Sequence, residues 1–193
     1  MTKILYLMRH GETLFNVHHK IQGWCDSPLT ENGINQAQLA GQYFRDHQIT
    51  FDHAFCSTAE RTSDTLEIVT AQKMPYQRLK GLREWGFGVY EGQDESLNPQ
   101  PPYGDYFQQF GGETQEQVEE RVYGTLEDLM QRPENETVLA VSHGGACHNF
   151  LRRAVGTTDK LTHGVRNCTI FKYQFADGQF QLLDVVYPDL LAD

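Results

Sequence analysis

Two histidines, His10 and His143, each stand just past a short apolar run and just before a glycine. The runs are Ile4–Met8 and Thr137–Val141, and the tripeptides are Arg9-His10-Gly11 and Ser142-His143-Gly144. A neutral imidazole supplies a nitrogen nucleophile near neutral pH. An arginine supplies a planar fork of donors that fits phosphate oxygens. A cation beside a histidine also disfavours imidazolium and so preserves the lone pair. These residue types suit attack on phosphorus, with Gly11 allowing close backbone approach to a ligand. Taken alone, each has an ordinary alternative: Arg9 and His10 closing a strand for packing, and His143 hydrogen-bonded in a core.

The elements that must position them can be read in turn. Apolar runs of this length, each stopped by a glycine, predict buried strands of a parallel sheet. Ligands of open α/β sheets bind where such strands end, so both imidazoles are expected at one sheet edge. Glu12–Leu29 reads as a polar loop. Thr30 reads as a helix N-cap, followed by Ile34, Ala37, Gly41 and Phe44 at helical spacing to about His47. Ala54–Cys56 predicts a strand, and Ser57 or Thr58 the cap of a helix with Thr65, Leu66 and Val69 inward. Tyr76–Leu79 reads as a further strand. Thr114–Gln117 fits a capping box ahead of the stripe Val118, Val122, Leu126 and Leu129. A helix from near Gly145 to Ala154 and a hairpin over Cys168–Val186, turning at Asp177-Gly178, complete the chain. This alternation predicts an α/β fold: a three-layer sandwich whose mostly parallel central sheet carries helices on both faces. One domain, 1–193, is expected. Within it, 84–112 is dense in Gly and Pro and reads as a lid or insert over the active site.

Composition narrows the partners. The formal net charge of -10 argues against nucleic acid, which needs a basic footprint, so any anion site must be a local cluster of positive groups. No apolar stretch is long enough to cross a bilayer, so no membrane partner is expected. The run before Arg9 is too short for a secretory leader, and a cytoplasmic location is expected. Cys25, Cys56, Cys147 and Cys168 show no paired spacing and read as free thiols. His18-His19, and His143 with Cys147 and His148, raise a metal site. No carboxylate or second cysteine joins them at zinc spacing, so no metal is expected. No Gly-Lys-Ser/Thr follows a strand, so there is no P-loop.

Arg9-His10-Gly11-Glu12-Thr13, Asn16, the segment Gly23–Thr30, Ser57 with Arg61, Glu84, and Ser142-His143-Gly144 occur in that order. The set resembles the histidine phosphatase superfamily, also called phosphoglycerate mutase-like, over residues 8 to 145. The resemblance implies that His10 is the phosphorylated nucleophile. It implies that Arg9, Arg61 and His143 clamp the phosphoryl group, and that Asn16 contacts a phosphate oxygen. Glu84 falls at the general acid, and Gln22 and Gly23 fall near the substrate in mutase relatives. Gly144, following His143, is counted with the substrate-binding residues. The physics fits these roles. Phosphoryl transfer is mostly positioning and charge stabilisation. An alkoxide leaves poorly without an acid, and a glutamate can serve if burial or nearby negative charge raises its pKa. On spacing alone, Arg61 reads as a surface arginine at a helix start, Glu84 as a solvated acid and Asn16 as a turn residue.

The family divides into mutases and phosphatases, and the core motifs do not separate them. Between Arg83 and Arg121 there is no Lys or Arg, whereas Asp94, Glu95 and Asp105 are acidic and Tyr103, Tyr106, Phe107 and Phe110 aromatic. Phosphoglycerate mutases are longer and carry a basic insert here for the substrate carboxylate. A lid without cations would hold a carboxylate or a bisphosphoglycerate cofactor poorly, leaving water to intercept the phosphohistidine. The aromatics read equally as lid packing or as a surface for an apolar leaving group. The expectation is a phosphatase acting on a small-molecule phosphomonoester without a cofactor. The alternatives are cofactor-dependent phosphoglycerate mutase activity and, from another class, a non-catalytic phosphate-binding module. The natural substrate and oligomeric state, a homodimer included, are open.

Overall fold

Leu5 and Leu7 face one side of β1 (Lys3–Arg9), and Tyr6 and Met8 the other. All four are buried, because this strand has a core on each face. β4 (Thr137–Ser142) repeats the alternation, with Val138 and Ala140 on the first side and Leu139 and Val141 on the second. The computed structural model describes residues 2–159 and 161–191; Met1, Lys160, Ala192 and Asp193, within the expected 1–193 domain, lie outside the described residues.

Two further strands, β2 (His53–Ser57) and β3 (Tyr76–Leu79), and the hairpin β5 (Ile170–Ala176) with β6 (Gln179–Val186) complete a sheet of order β3-β2-β4-β1-β5-β6. The β3-β2, β2-β4 and β4-β1 pairs are parallel, and β1-β5 and β5-β6 antiparallel. Helices α2 (Glu31–Asp46) and α3 (Glu60–Val69) cover the Tyr6 face. Helices α4 (Gln115–Gln131) and α5 (Gly144–Val155) cover the Leu5 face. This is the expected three-layer α/β sandwich. The hairpin turns at Asp177 (φ 52°) and Gly178 (φ 74°), both left-handed as a two-residue type I′ turn requires.

Several local expectations change. The polar stretch 12–29 contains a short helix α1 (Leu14–Val17), because Thr13 and Asn16 cap each other reciprocally. Ile34 is 39% exposed, and the buried stripe of α2 is carried by Ala37, Ala40, Gly41 and Phe44. Helix α3 starts after Ala59, not after Ser57 or Thr58. No side chain of its own caps it, and Asp26 takes the Glu60 N–H from another loop. Residues 84–112 hold 3-10 turns at Gly88–Tyr90, Glu95–Leu97 and Tyr106–Phe110. Fully buried Phe107 meets Trp85, Phe87, Tyr90, Tyr103 and Tyr106 edge-on at 4.9–6.2 Å. Such pairs contribute about 0.5–1.5 kcal/mol each, so the segment is held by its own aromatic core.

Candidate active site

Parallel register sets the first distance. Arg9 of β1 is paired with Ser142 of β4, so the next residues, His10 and His143, leave the sheet side by side. Their ring centroids lie 5.3 Å apart, and the His10 N–H donates to Ser142 O at 3.0 Å.

The His10 ring is buried, with Nδ1 2.7 Å from Gly11 O and Nε2 accepting the Arg61 Nε–H at 3.2 Å. A carbonyl can only accept, so we assign the proton to Nδ1 and the lone pair to Nε2. Burial, then the Arg61 and Arg9 charges, push the His10 pKa well below its usual 6.5. Both causes favour the neutral ring, the form that carries the nucleophilic lone pair.

Arg61 is not the surface arginine that its position at a helix start suggested. It is fully buried, and its other nitrogens donate to Cys25 O (2.9 Å), Asp26 Oδ1 (2.8 Å) and Gly23 O (2.8 Å). A guanidinium can be buried here because it is both paired and hydrogen-bonded. Gly23 accordingly sits behind Arg61, presenting its carbonyl. The loop that presents these carbonyls is gathered by Glu91, whose carboxylate accepts the N–H groups of Gly23 (3.1 Å), Trp24 (2.8 Å), Cys25 (3.0 Å) and Phe87 (3.1 Å). Sequence reasoning missed Glu91, and marked Asp26 only as part of the segment Gly23–Thr30, with no role. Backbone N–H groups are Glu91's partners, and they leave no mark in residue spacing.

Arg9 donates through one terminal nitrogen to Val165 O at 2.7 Å. Its buried Nε has no partner, nor has either ring nitrogen of fully buried His143. Burial, then the Arg61, His10 and Arg9 charges, push the His143 pKa well below 6.5. Gly144 leaves room for Arg9, since a Cβ there would stand 3.3 Å from Arg9 Nε. Buried polar atoms without partners are uncommon, and a cluster of them around a nucleophile fits an oxyanion ligand.

Glu84, 7% exposed, is not the solvated acid of its Gly-rich setting. Oε1 accepts the Trp85 and Ala146 N–H groups, both at 2.8 Å, and Oε2 that of Gly145 at 2.7 Å. Its carboxylate thus sits on the N-terminus of α5, where the helix dipole favours a negative group. Arg121, held by Glu113 at 2.7 and 2.8 Å, donates to Glu84 O from behind.

Asn16 and Gln22 border the cavity above His10. Asn16 Oδ1 accepts from Asn167 Nδ2 (3.2 Å), which also reaches His10 O (3.1 Å). The Gln22 amide bridges Thr13 and Ser27 hydroxyls at 2.7 and 2.9 Å. Gly11 has a different use from the one its type suggests. A Cβ there would stand 2.5 Å from Gly33 O, so it is α2 that demands a glycine.

The cavity holds about 700 Å³. Trp85, Phe87 and Tyr103 wall it from the segment 84–112; of the four aromatics marked there in the sequence, Tyr103 alone lines it. Lys20 and Arg152 add cations from outside that segment, but each already faces an acid: Asp94 at 3.5 Å and Glu119, respectively. Among the described residues, no group of three or more His, Cys, Asp or Glu is arranged to hold a metal ion, and no helix is long and apolar enough to cross a membrane. The site thus offers a neutral imidazole nucleophile, guanidinium and imidazole donors for a phosphoryl group, and a carboxylate at the cavity wall.

Residues 5–187 match the family model of the histidine phosphatase superfamily (branch 1). A probable phosphoglycerate mutase, GpmB, of Yersinia pestis is 32% identical over 186 residues, covering 90% of this chain and 86% of that protein. A phosphoglycerate mutase from Bacillus anthracis superimposes with a TM-score of 0.86 at 24% identity, covering 99% and 96%, a likeness of fold. A phosphoserine phosphatase from Entamoeba histolytica does so with a TM-score of 0.79 at 28% identity, covering 95% and 96%.

Proposed function

Because the chain belongs to the histidine phosphatase superfamily, we propose that it is a phosphomonoesterase working through a phosphohistidine on His10. The reading rests on one observation: His10 Nε2, to which the lone pair is assigned, lies beside Arg61, with the unpartnered Arg9 Nε and His143 nitrogens close by. Nε2 attacks phosphorus as the P–O ester bond breaks, and Glu84, which takes up a proton as the phosphate charge arrives beside it, gives that proton to the leaving oxygen. Arg9, Arg61 and His143 stabilise the equatorial oxygens. Glu84 then takes a proton from water, which attacks phosphorus, breaks the P–N bond and releases inorganic phosphate. The reaction needs no cofactor or metal, takes a small phosphomonoester and belongs in the cytoplasm.

The test is hydrolysis of p-nitrophenyl phosphate by wild type and His10→Ala, with a trapped phosphoenzyme that acid destroys and alkali spares. Loss of both in His10→Ala, and indifference of the wild type to chelators, is the expected result. Wild-type rates in His10→Ala overturn it. Lys20 and Arg152 in the cavity wall, with the mutase relatives, give a second reading: bisphosphoglycerate-dependent mutase activity. Their pairing with acids favours hydrolysis. A coupled phosphoglycerate assay with and without that cofactor separates the two.

A further inference from the structure

One face of α5 forms a wall of the cavity, through Gly144, Gly145, His148, Asn149 and Arg152 at helical spacing. At about 1.5 Å rise per residue, this face runs outward from the phosphoryl end. Asn149 stands one turn beyond Gly145, the residue whose N–H holds Glu84. It is 2% exposed, and its Nδ2 donates to Gly145 O at 2.8 Å, which fixes the orientation of the amide. Its Oδ1 is buried without a partner. On the lid, Asn98 Oδ1 is also buried and unpartnered, and Asn98 lines the same cavity. A buried acceptor at a cavity wall selects a ligand that brings a donor, because a ligand without one leaves it unsatisfied. Asn149 Oδ1 carries no formal charge, and Lys20 and Arg152 already face acids, so a hydroxyl of the leaving group is its simplest complement.

Resting on the phosphatase reading, we propose that Asn149 determines specificity: its Oδ1 accepts a hydrogen bond from a hydroxyl of the leaving alcohol, so the substrates are phosphate monoesters of polyols. Glycerol 2-phosphate and isopropyl phosphate share a carbon skeleton and differ in two hydroxyls, which makes them the probe. In the wild type kcat/KM is expected to favour glycerol 2-phosphate about tenfold, equivalent to about 1.4 kcal/mol. In Asn149→Leu, of similar size but without an acceptor, that ratio falls towards one; Asn149→Ala serves if the leucine variant does not fold. A general structural defect would lower both rates and leave their ratio. Equal wild-type kcat/KM for the two esters overturns the assignment, as does an unchanged ratio in a folded variant. A wild type inactive on both esters and on p-nitrophenyl phosphate defeats the phosphatase reading itself.

Discussion

Glu84 Oε2 accepts the Gly145 N–H at 2.7 Å, and there is no room at Gly145 for a methyl group: a Cβ would lie 2.6 Å from Glu84 Oε1. Gly145→Ala therefore displaces the proposed acid without touching the nucleophile. A poor leaving group needs the proton and a good one does not. The expected outcome is a fall of about 10²-fold in kcat for an alkyl phosphate, with a much smaller fall for p-nitrophenyl phosphate. Equal losses on both substrates would show that Glu84 is not the proton donor.

Arg61 reaches His10, Asp26 and the carbonyls of Gly23 and Cys25 with one planar fork. A lysine ammonium is a point charge and cannot span these directions. Arg61→Lys is expected to lower kcat/KM by about 10²–10³-fold despite keeping the charge. Steady-state kinetics within tenfold of the wild type would mean that charge alone suffices.

Glu91 does not itself line the cavity, but it accepts the backbone N–H groups of Gly23, Trp24 and Cys25 in the loop behind Arg61 and that of Phe87 in the cavity wall. Glu91→Gln replaces one acceptor oxygen with a donor aimed at donors. We expect destabilisation of about 1–3 kcal/mol in urea unfolding, together with a lower kcat. Unchanged stability would show that the loop holds its shape without this carboxylate.

His10 and His143 both have pKa values pushed below 6.5, chiefly by burial. Below about pH 6.5 the unfolded chain binds protons that the native state refuses, so stability falls as pH drops through that point and is fully present above it. Urea unfolding at about pH 7.5 and 5.5 measures the drop, which should shrink in His143→Gln because one such group is gone. By the same cause, the acid limb of kcat/KM should lie below about pH 6.5, the ordinary histidine value. A wild type as stable at the lower pH as at the higher contradicts this account.

Much of this site was legible in the chain. Apolar runs stopped by glycine placed His10 and His143 at one sheet edge, and Thr30 and Thr114 cap helices as their types suggest. Arg61 and Glu84 were less plain, because each by itself resembles a solvated charge. Burial came from partners far along the chain, Asp26 and the start of α5. Glu91 and Asn149 left no signal, since what makes them matter is a main-chain group or a cavity that exists only once the fold has closed. Gly11 was marked for the wrong neighbour: its close approach is to Gly33.

The Arg9–Ser142 pairing carries a kinetic consequence. The residues that would share one phosphoryl group include Arg9 and His143, far apart in sequence, and these meet only when β4 inserts between β2 and β1. Contacts of such long sequence separation form late and slowly. Regained turnover during refolding is therefore a clock for completion of the central sheet, and should lag behind recovery of helical signal from α2 and α3.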